Sequence, residues 1–130
     1  MASTDATPPW VCDDRRVRPT VVIVDDHAEF RAAATALLEA EGFDVIGEAG
    51  DAVQALAVAA RLRPQVVLLD IQLPDRDGFA VAGELVGGPL VVLISSRDAH
   101  AYGRRLETAP IRGFIAKRDL SGEALAALMT

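Results

Sequence analysis

Six side chains able to do chemistry stand where apolar runs stop. Val21–Val24 runs into Asp25 and Asp26, Val66–Leu69 into Asp70, Leu90–Ile94 into Ser95 and Ser96, and Phe114–Ala116 into Lys117. Carboxylates gathered in one place are costly, because two of them ~4–5 Å apart repel by roughly 3–4 kcal/mol at an effective dielectric near 20. Three of them call for a cation. An oxygen-only donor set selects Mg²⁺, which keeps several waters and is held by one or two carboxylates plus a phosphoryl group. Lys117 supplies a second positive charge, and Ser95 a hydroxyl.

For these residues to meet, the runs before them must be neighbouring parallel strands. The chain alternates accordingly. Thr20–Asp25, Phe43–Ala49, Val66–Asp70, Leu90–Ile94 and Ile111–Ala116 read as strands. Helical spacing marks Ala28–Glu41, closed by Gly42, a second helix that Asp51 caps and Pro64 stops, Gly78–Val86, a weaker fourth over Asp98–Glu107, and Ser121–Met129. Strands apolar on both faces imply an α/β fold, a doubly wound parallel five-stranded (βα)5 sheet covered by helices on both sides. Ligands of such open sheets bind outside the carboxyl ends of the strands, where strand order reverses. The second strand ends blandly in Glu48-Ala49-Gly50, as an outer strand does.

The set Asp25, Asp26, Asp70, Ser95 and Lys117, with "LPDRDG" after Asp70 and "RGFIAK" through Lys117, resembles the receiver domain of bacterial two-component response regulators. The likeness runs from about Thr20 to Thr130. "VVIVDDHAEFR" and "RGFIAKRDLSGEALAAL" look most like receivers that carry a LuxR-type output domain, which this sequence does not contain. The resemblance implies the flavodoxin-like strand order 2-1-3-4-5. It implies that Asp70 is the phosphoacceptor, charged by the histidine of a sensor kinase, and that the chain is a signalling receiver rather than an enzyme. Asp25, Asp26, Asp70 and the backbone carbonyl of Gln72 would serve the Mg²⁺, with Asp25 acting through a water. Ser95 and Lys117 would bind phosphoryl oxygens, Ser95 and Phe114 would form the switch, and Gln72 and Arg97 would tune hydrolysis towards slow dephosphorylation. The expected partners are the kinase and, at the surface of the fourth helix, fifth strand and fifth helix, a second copy or an output protein.

Three departures from the family pattern stand out. Arg118 follows the lysine where many receivers have proline, which leaves the usual cis peptide open; Ala109-Pro110-Ile111 replaces a Gly-Ala turn; and a glycine-rich link, Leu85–Pro89, precedes the fourth strand.

Plainer roles exist for the same residues. Asp26 could cap the first helix, Ser96 the fourth and Asp77 the third, while Asp75 could serve loop solvation. His27 and His100 read as exposed helix-flank residues, and Arg104 and Arg105 as a solvated or partner-facing pair. A phosphohydrolase with an aspartate nucleophile would need a second acid where Gln72 stands. A nucleotide- or flavin-binding module would need a phosphate loop where Asp25-Asp26-His27 repels phosphate. A receiver-like interaction module that is never phosphorylated remains the third alternative.

At 130 residues the chain is the size of one domain, read as residues 20–130 behind a disordered leader, residues 1–19. A net charge of −6 argues against a nucleic-acid or anionic-membrane surface. A lone cysteine, Cys12, permits no internal disulfide and suits a cytoplasmic protein.

Overall fold

The computed structural model describes residues 18–130, so all but the last two residues of the expected leader lie outside the described residues. Five strands, β1 (Thr20–Val24), β2 (Asp44–Ala49), β3 (Val66–Asp70), β4 (Leu90–Ser95) and β5 (Gly113–Ala116), form one parallel sheet in the order β2-β1-β3-β4-β5. The helices are α1 (Ala28–Ala40), α2 (Ala52–Leu62), α3 (Gly78–Glu84), α4 (Arg105–Thr108) and α5 (Gly122–Met129). This is the doubly wound five-stranded architecture and the strand order expected from the sequence. None of the described helices is long and apolar enough to cross a membrane.

Side chains alternate across the sheet with period two. Val22, Val24, Val67, Leu69, Val91 and Leu93 face one cluster with α2 and α3, while Val21, Ile23, Val66, Leu68, Val92 and Ile94 face the other with α1 and α5. All twelve are buried. Each such aliphatic side chain contributes roughly 1.5–3 kcal/mol, so the sheet is a rigid platform for whatever stands at its strand ends.

Local chemistry fixes the helix starts. Asp51 accepts from Gln54 N at 2.8 Å, Asp77 from Phe79 N at 2.7 Å and Ser121 from Ala124 N at 3.0 Å. Asp77 is thus the cap of α3 foreseen in the sequence. Asp26 and Ser96 cap nothing: His27 is the N-cap of α1 and Asp98 that of the turn after β4, both without a side-chain bond. Arg63, in the left-handed region at φ 49°, ends α2 one residue before Pro64.

The fourth helix is the main departure from expectation. Instead of one helix over Asp98–Glu107 there is a 3₁₀ turn, Ala99–Ala101, then Gly103 at φ 56°, then the single turn of α4. The stretch offers only Tyr102 and Leu106 as large apolar anchors, and both join the α2/α3 cluster. With so little apolar face, nothing holds the left-handed glycine in helical conformation. The fifth strand is likewise shorter than expected, starting at Gly113. Among the described residues no peptide bond is cis, the bond after Lys117 included.

Candidate functional site

Among the described residues only three polar or charged ones are buried: Asp25 (0%), Asp70 (4%) and Ser95 (1%). All three stand at carboxyl ends of the central strands β1, β3 and β4. Burying a carboxylate is costly unless it is paired and hydrogen-bonded. Lys117, just beyond β5, does the pairing: its Nζ contacts Asp25 Oδ2 and lies 3.2 Å from Asp70 Oδ2. The same ammonium sits 4.7 Å from the centroid of Phe30 on α1, a cation–π contact that fixes its reach.

Backbone donors complete the carboxylate shells. Asp25 Oδ1 accepts from His27 N at 2.7 Å, and Asp70 Oδ1 from Gln72 N at 3.0 Å. The two acids respond in opposite directions. Burial pushes Asp25 up, but the Lys117 ammonium and the His27 amide outweigh it and hold the carboxyl below its ordinary range. Burial also pushes Asp70 up; the Gln72 amide and Lys117 oppose it only in part, Asp25 adds repulsion, and the carboxyl stays above its ordinary range. For Lys117 burial acts downward and the two carboxylates prevail, raising its affinity for its proton.

Asp26 is less buried and stands beside this pair. Asp25, Asp26, His27 and Asp70 each offer a ligand atom, all within 4.8 Å of one another. Three carboxylates at this spacing fit a hard divalent cation such as Mg²⁺, which takes oxygen ligands and tolerates water in the rest of its shell. His27, expected as an exposed helix-flank residue, is exposed but joins the cluster, with Nδ1 3.0 Å from Asp25 Oδ1 and 3.1 Å from Asp26 Oδ1.

Strand parity divides the sequence-predicted residues into two groups. Asp25 and Asp70 follow Val24 and Leu69, which pack on the α2/α3 side, so they meet Lys117 on the α1 side, where Phe30 lies. Ser95 follows Ile94, which packs on the α1/α5 side, and its hydroxyl lies on the α2/α3 side. There it contacts Tyr102 Oη at 2.5 Å and accepts from Arg97 N at 3.0 Å. Phe114 is half-buried on that same side, its ring 6.0 Å from that of Tyr102. Gln72 is exposed and reaches Asp70 through its amide. The Arg97 side chain is exposed and bonds to none of the described residues.

Sequence reasoning passed over two residues that build this edge and misread a third. Tyr102 is the first. Arg31, one turn into α1, donates to the Asp25 carbonyl at 2.5 Å and pairs with Glu48 at 2.8 Å, tying β1, α1 and β2 together at the site. Asp75, read as loop solvation, instead accepts from Ala52 N at 2.8 Å and Val53 N at 3.1 Å, so it anchors the loop after Asp70 to the start of α2. The sequence signal for Asp75 was its acidic type near a helix start, but the helix it serves is a different one. Arg105, read as solvated or partner-facing, pairs with Asp77 at 2.8 Å and lies 4.1 Å over the Phe79 ring.

The family model of the response regulator receiver domain matches residues 21–128. BvgA of Bordetella pertussis, named as a transcription regulator of virulence factors, is 37% identical over 102 residues, which are 76% of this chain and 49% of that protein. The transcriptional regulatory protein UhpA of Escherichia coli K12 is 33% identical over 112 residues, 85% of this chain and 57% of that protein. The chain thus spans about half the length of the curated relatives it matches. Among solved structures, the signal receiver domain of NarL from Mycobacterium tuberculosis superposes with a TM-score of 0.76 at 30% identity, covering 86% of this chain and 97% of that one. The isolated receiver domain of RcsB from Salmonella enterica, solved with a beryllofluoride phosphomimetic, shares the fold at a TM-score of 0.76 and 22% identity, covering 86% of this chain and 88% of that one.

Proposed function

This chain belongs to the response regulator receiver family, and from that premise we propose that it is a phosphoacceptor of a two-component system, taking a phosphoryl group from a sensor histidine kinase onto Asp70. One observation carries the reading: a buried strand-end carboxylate is held between an ammonium, a backbone N–H and two further carboxylates able to share a divalent cation. Phosphoryl transfer needs positioning and charge neutralisation more than covalent chemistry from the protein.

We assign the roles as follows. An oxygen of Asp70 attacks phosphorus, the bond from phosphorus to the donor's nitrogen or oxygen breaks, and an acyl phosphate forms. Burial makes that oxygen more basic than an ordinary aspartate's, while Lys117 and the Gln72 amide orient it. Asp25, Asp26, Asp70 and the Gln72 carbonyl would hold Mg²⁺, which would neutralise charge on the incoming phosphoryl group. Lys117 stays within reach of one phosphoryl oxygen and Ser95 turns to another. The Ser95–Phe114 side then alters the surface of α4, β5 and α5, where an output protein or a second copy docks. Gln72 and Arg97, both exposed, border the approach of water and set slow self-hydrolysis.

The relatives are transcription regulators roughly twice as long as the matched segment. We therefore read the output as gene expression, the location as cytoplasmic and the chain itself as a signalling module that makes no direct nucleic-acid contact.

The test is beryllofluoride binding with Mg²⁺. Wild type is expected to melt higher and to show a protein-bound fluorine resonance; Asp70→Asn is expected to show neither. Equal binding by Asp70→Asn, or none by wild type, contradicts the assignment.

A further inference from the structure

We propose that Tyr102 is a positioning residue that holds the Ser95 hydroxyl away from Asp70 in the unphosphorylated protein, and that its release couples phosphorylation to the β4–α4 segment. The proposal rests on the reading of Asp70 as phosphoacceptor. Its basis is the hydroxyl's own set of partners. Ser95 is buried, yet its Oγ meets only residues that follow it in the chain, Tyr102 Oη at 2.5 Å and Arg97 N at 3.0 Å, while the partners of Asp70 are Gln72 N and Lys117. In this proposal the hydroxyl leaves the phenol to reach a phosphoryl group on Asp70.

The phenol is itself held. Its ring is wedged between Phe79 of α3 and Phe114 of β5, 6.0 Å from each and tilted by 56° and 53°. The Tyr102 N–H closes the 3₁₀ turn on Ala99 O at 3.0 Å, and the left-handed Gly103 follows directly. The ring position and the path of the segment are therefore linked. Besides the packing of Leu106 on the α2/α3 cluster, the segment has exposed ion pairs, Arg105 with Asp77 and Arg118 with Asp98, of a kind that contributes little. The part-buried Ser95–Tyr102 bond ties the segment to the end of β4. Space next to Phe114 opens when Tyr102 moves, so Tyr102 is the physical link between the serine and the strand-five aromatic.

The experiment compares wild type, Tyr102→Phe and Ser95→Ala in two measurements: phosphorylation rate with acetyl phosphate and Mg²⁺, and amide exchange over residues 97–108 without phosphodonor. Tyr102→Phe keeps the ring and removes one hydrogen bond. It is expected to phosphorylate about two- to tenfold faster than wild type, the range set by the net value of such a bond, and to exchange faster over 97–108 by a similar factor. Ser95→Ala loses the same bond and is expected to match that exchange, but without the gain in rate, since the hydroxyl is gone. A Tyr102→Phe rate at or below wild type, or wild-type exchange in both variants, overturns the proposal. If wild type takes up no phosphoryl group, the reading of Asp70 falls, and exchange alone decides on Tyr102: matched acceleration in the two variants supports the hold, and wild-type protection removes it.

Discussion

Two buried carboxylates share one ammonium at this site, and the sharing is unequal. Asp70 holds its proton more tightly in the folded chain than in the unfolded one, so its ionisation lowers stability as pH rises through the raised folded value. Below the ordinary aspartate value of 3.8 that cost is absent. Asp25 works with the opposite sign: its contribution is full above 3.8 and is lost only as pH falls through its lowered folded value. Of these two acids, then, only Asp70 changes its contribution above 3.8. Asp70→Asn is expected to melt a few degrees above wild type at neutral pH, with the difference shrinking towards pH 4; melts across that range check it, and a neutral-pH melt below wild type would contradict it. The residues of this cluster were legible because each ends an apolar run, which is where a doubly wound sheet gathers its ligands. Tyr102 was not, because the hydroxyl it meets lies on the other face of the sheet from Asp70, and the irregular turn that carries it has no period from which to read a facing.

The elements position these side chains through close approach more than through length. The start of α3 packs so tightly on the end of β3 that a Cβ on Gly78 would stand 2.5 Å from the Asp70 carbonyl oxygen and 2.7 Å from Ile71 Cα. Both neighbours are backbone and cannot yield as a flexible side chain does. Gly78→Ala is therefore expected to cost about 1–3 kcal/mol, the usual penalty for overfilling a packed site, and to slow phosphorylation by displacing Asp70. Denaturant melts and phosphorylation rates check the two effects, and wild-type values for both would show the loop to be softer than its geometry. Five strands and four helices were legible in the sequence because breakers and apolar faces agree over each of them. For α4 they disagree. Its expected span holds two large apolar residues and a glycine in the left-handed region, so tertiary contacts of Tyr102 and Leu106, which a sequence does not display, decide its form.

For the molecule as a whole, the acidic edge is expected to make stability depend on cation concentration. A ligand that binds only the folded chain stabilises it by RT ln(1 + [L]/Kd), about 1.4 kcal/mol at tenfold excess over Kd. Mg²⁺ is expected to raise the melting temperature of wild type, and Asp26→Asn is expected to lose most of that response while keeping the buried Asp25–Lys117–Asp70 contacts. An unchanged Mg²⁺ response in Asp26→Asn would place the cation elsewhere. The central claim is that the whole fold serves to present one carboxylate to a phosphodonor. Intact mass after incubation with acetyl phosphate and Mg²⁺ tests it most directly. The account predicts that wild type gains the mass of one phosphoryl group, that hydroxylamine removes it, and that Asp70→Asn gains none; stoichiometric uptake by Asp70→Asn, or no uptake by wild type, would contradict it.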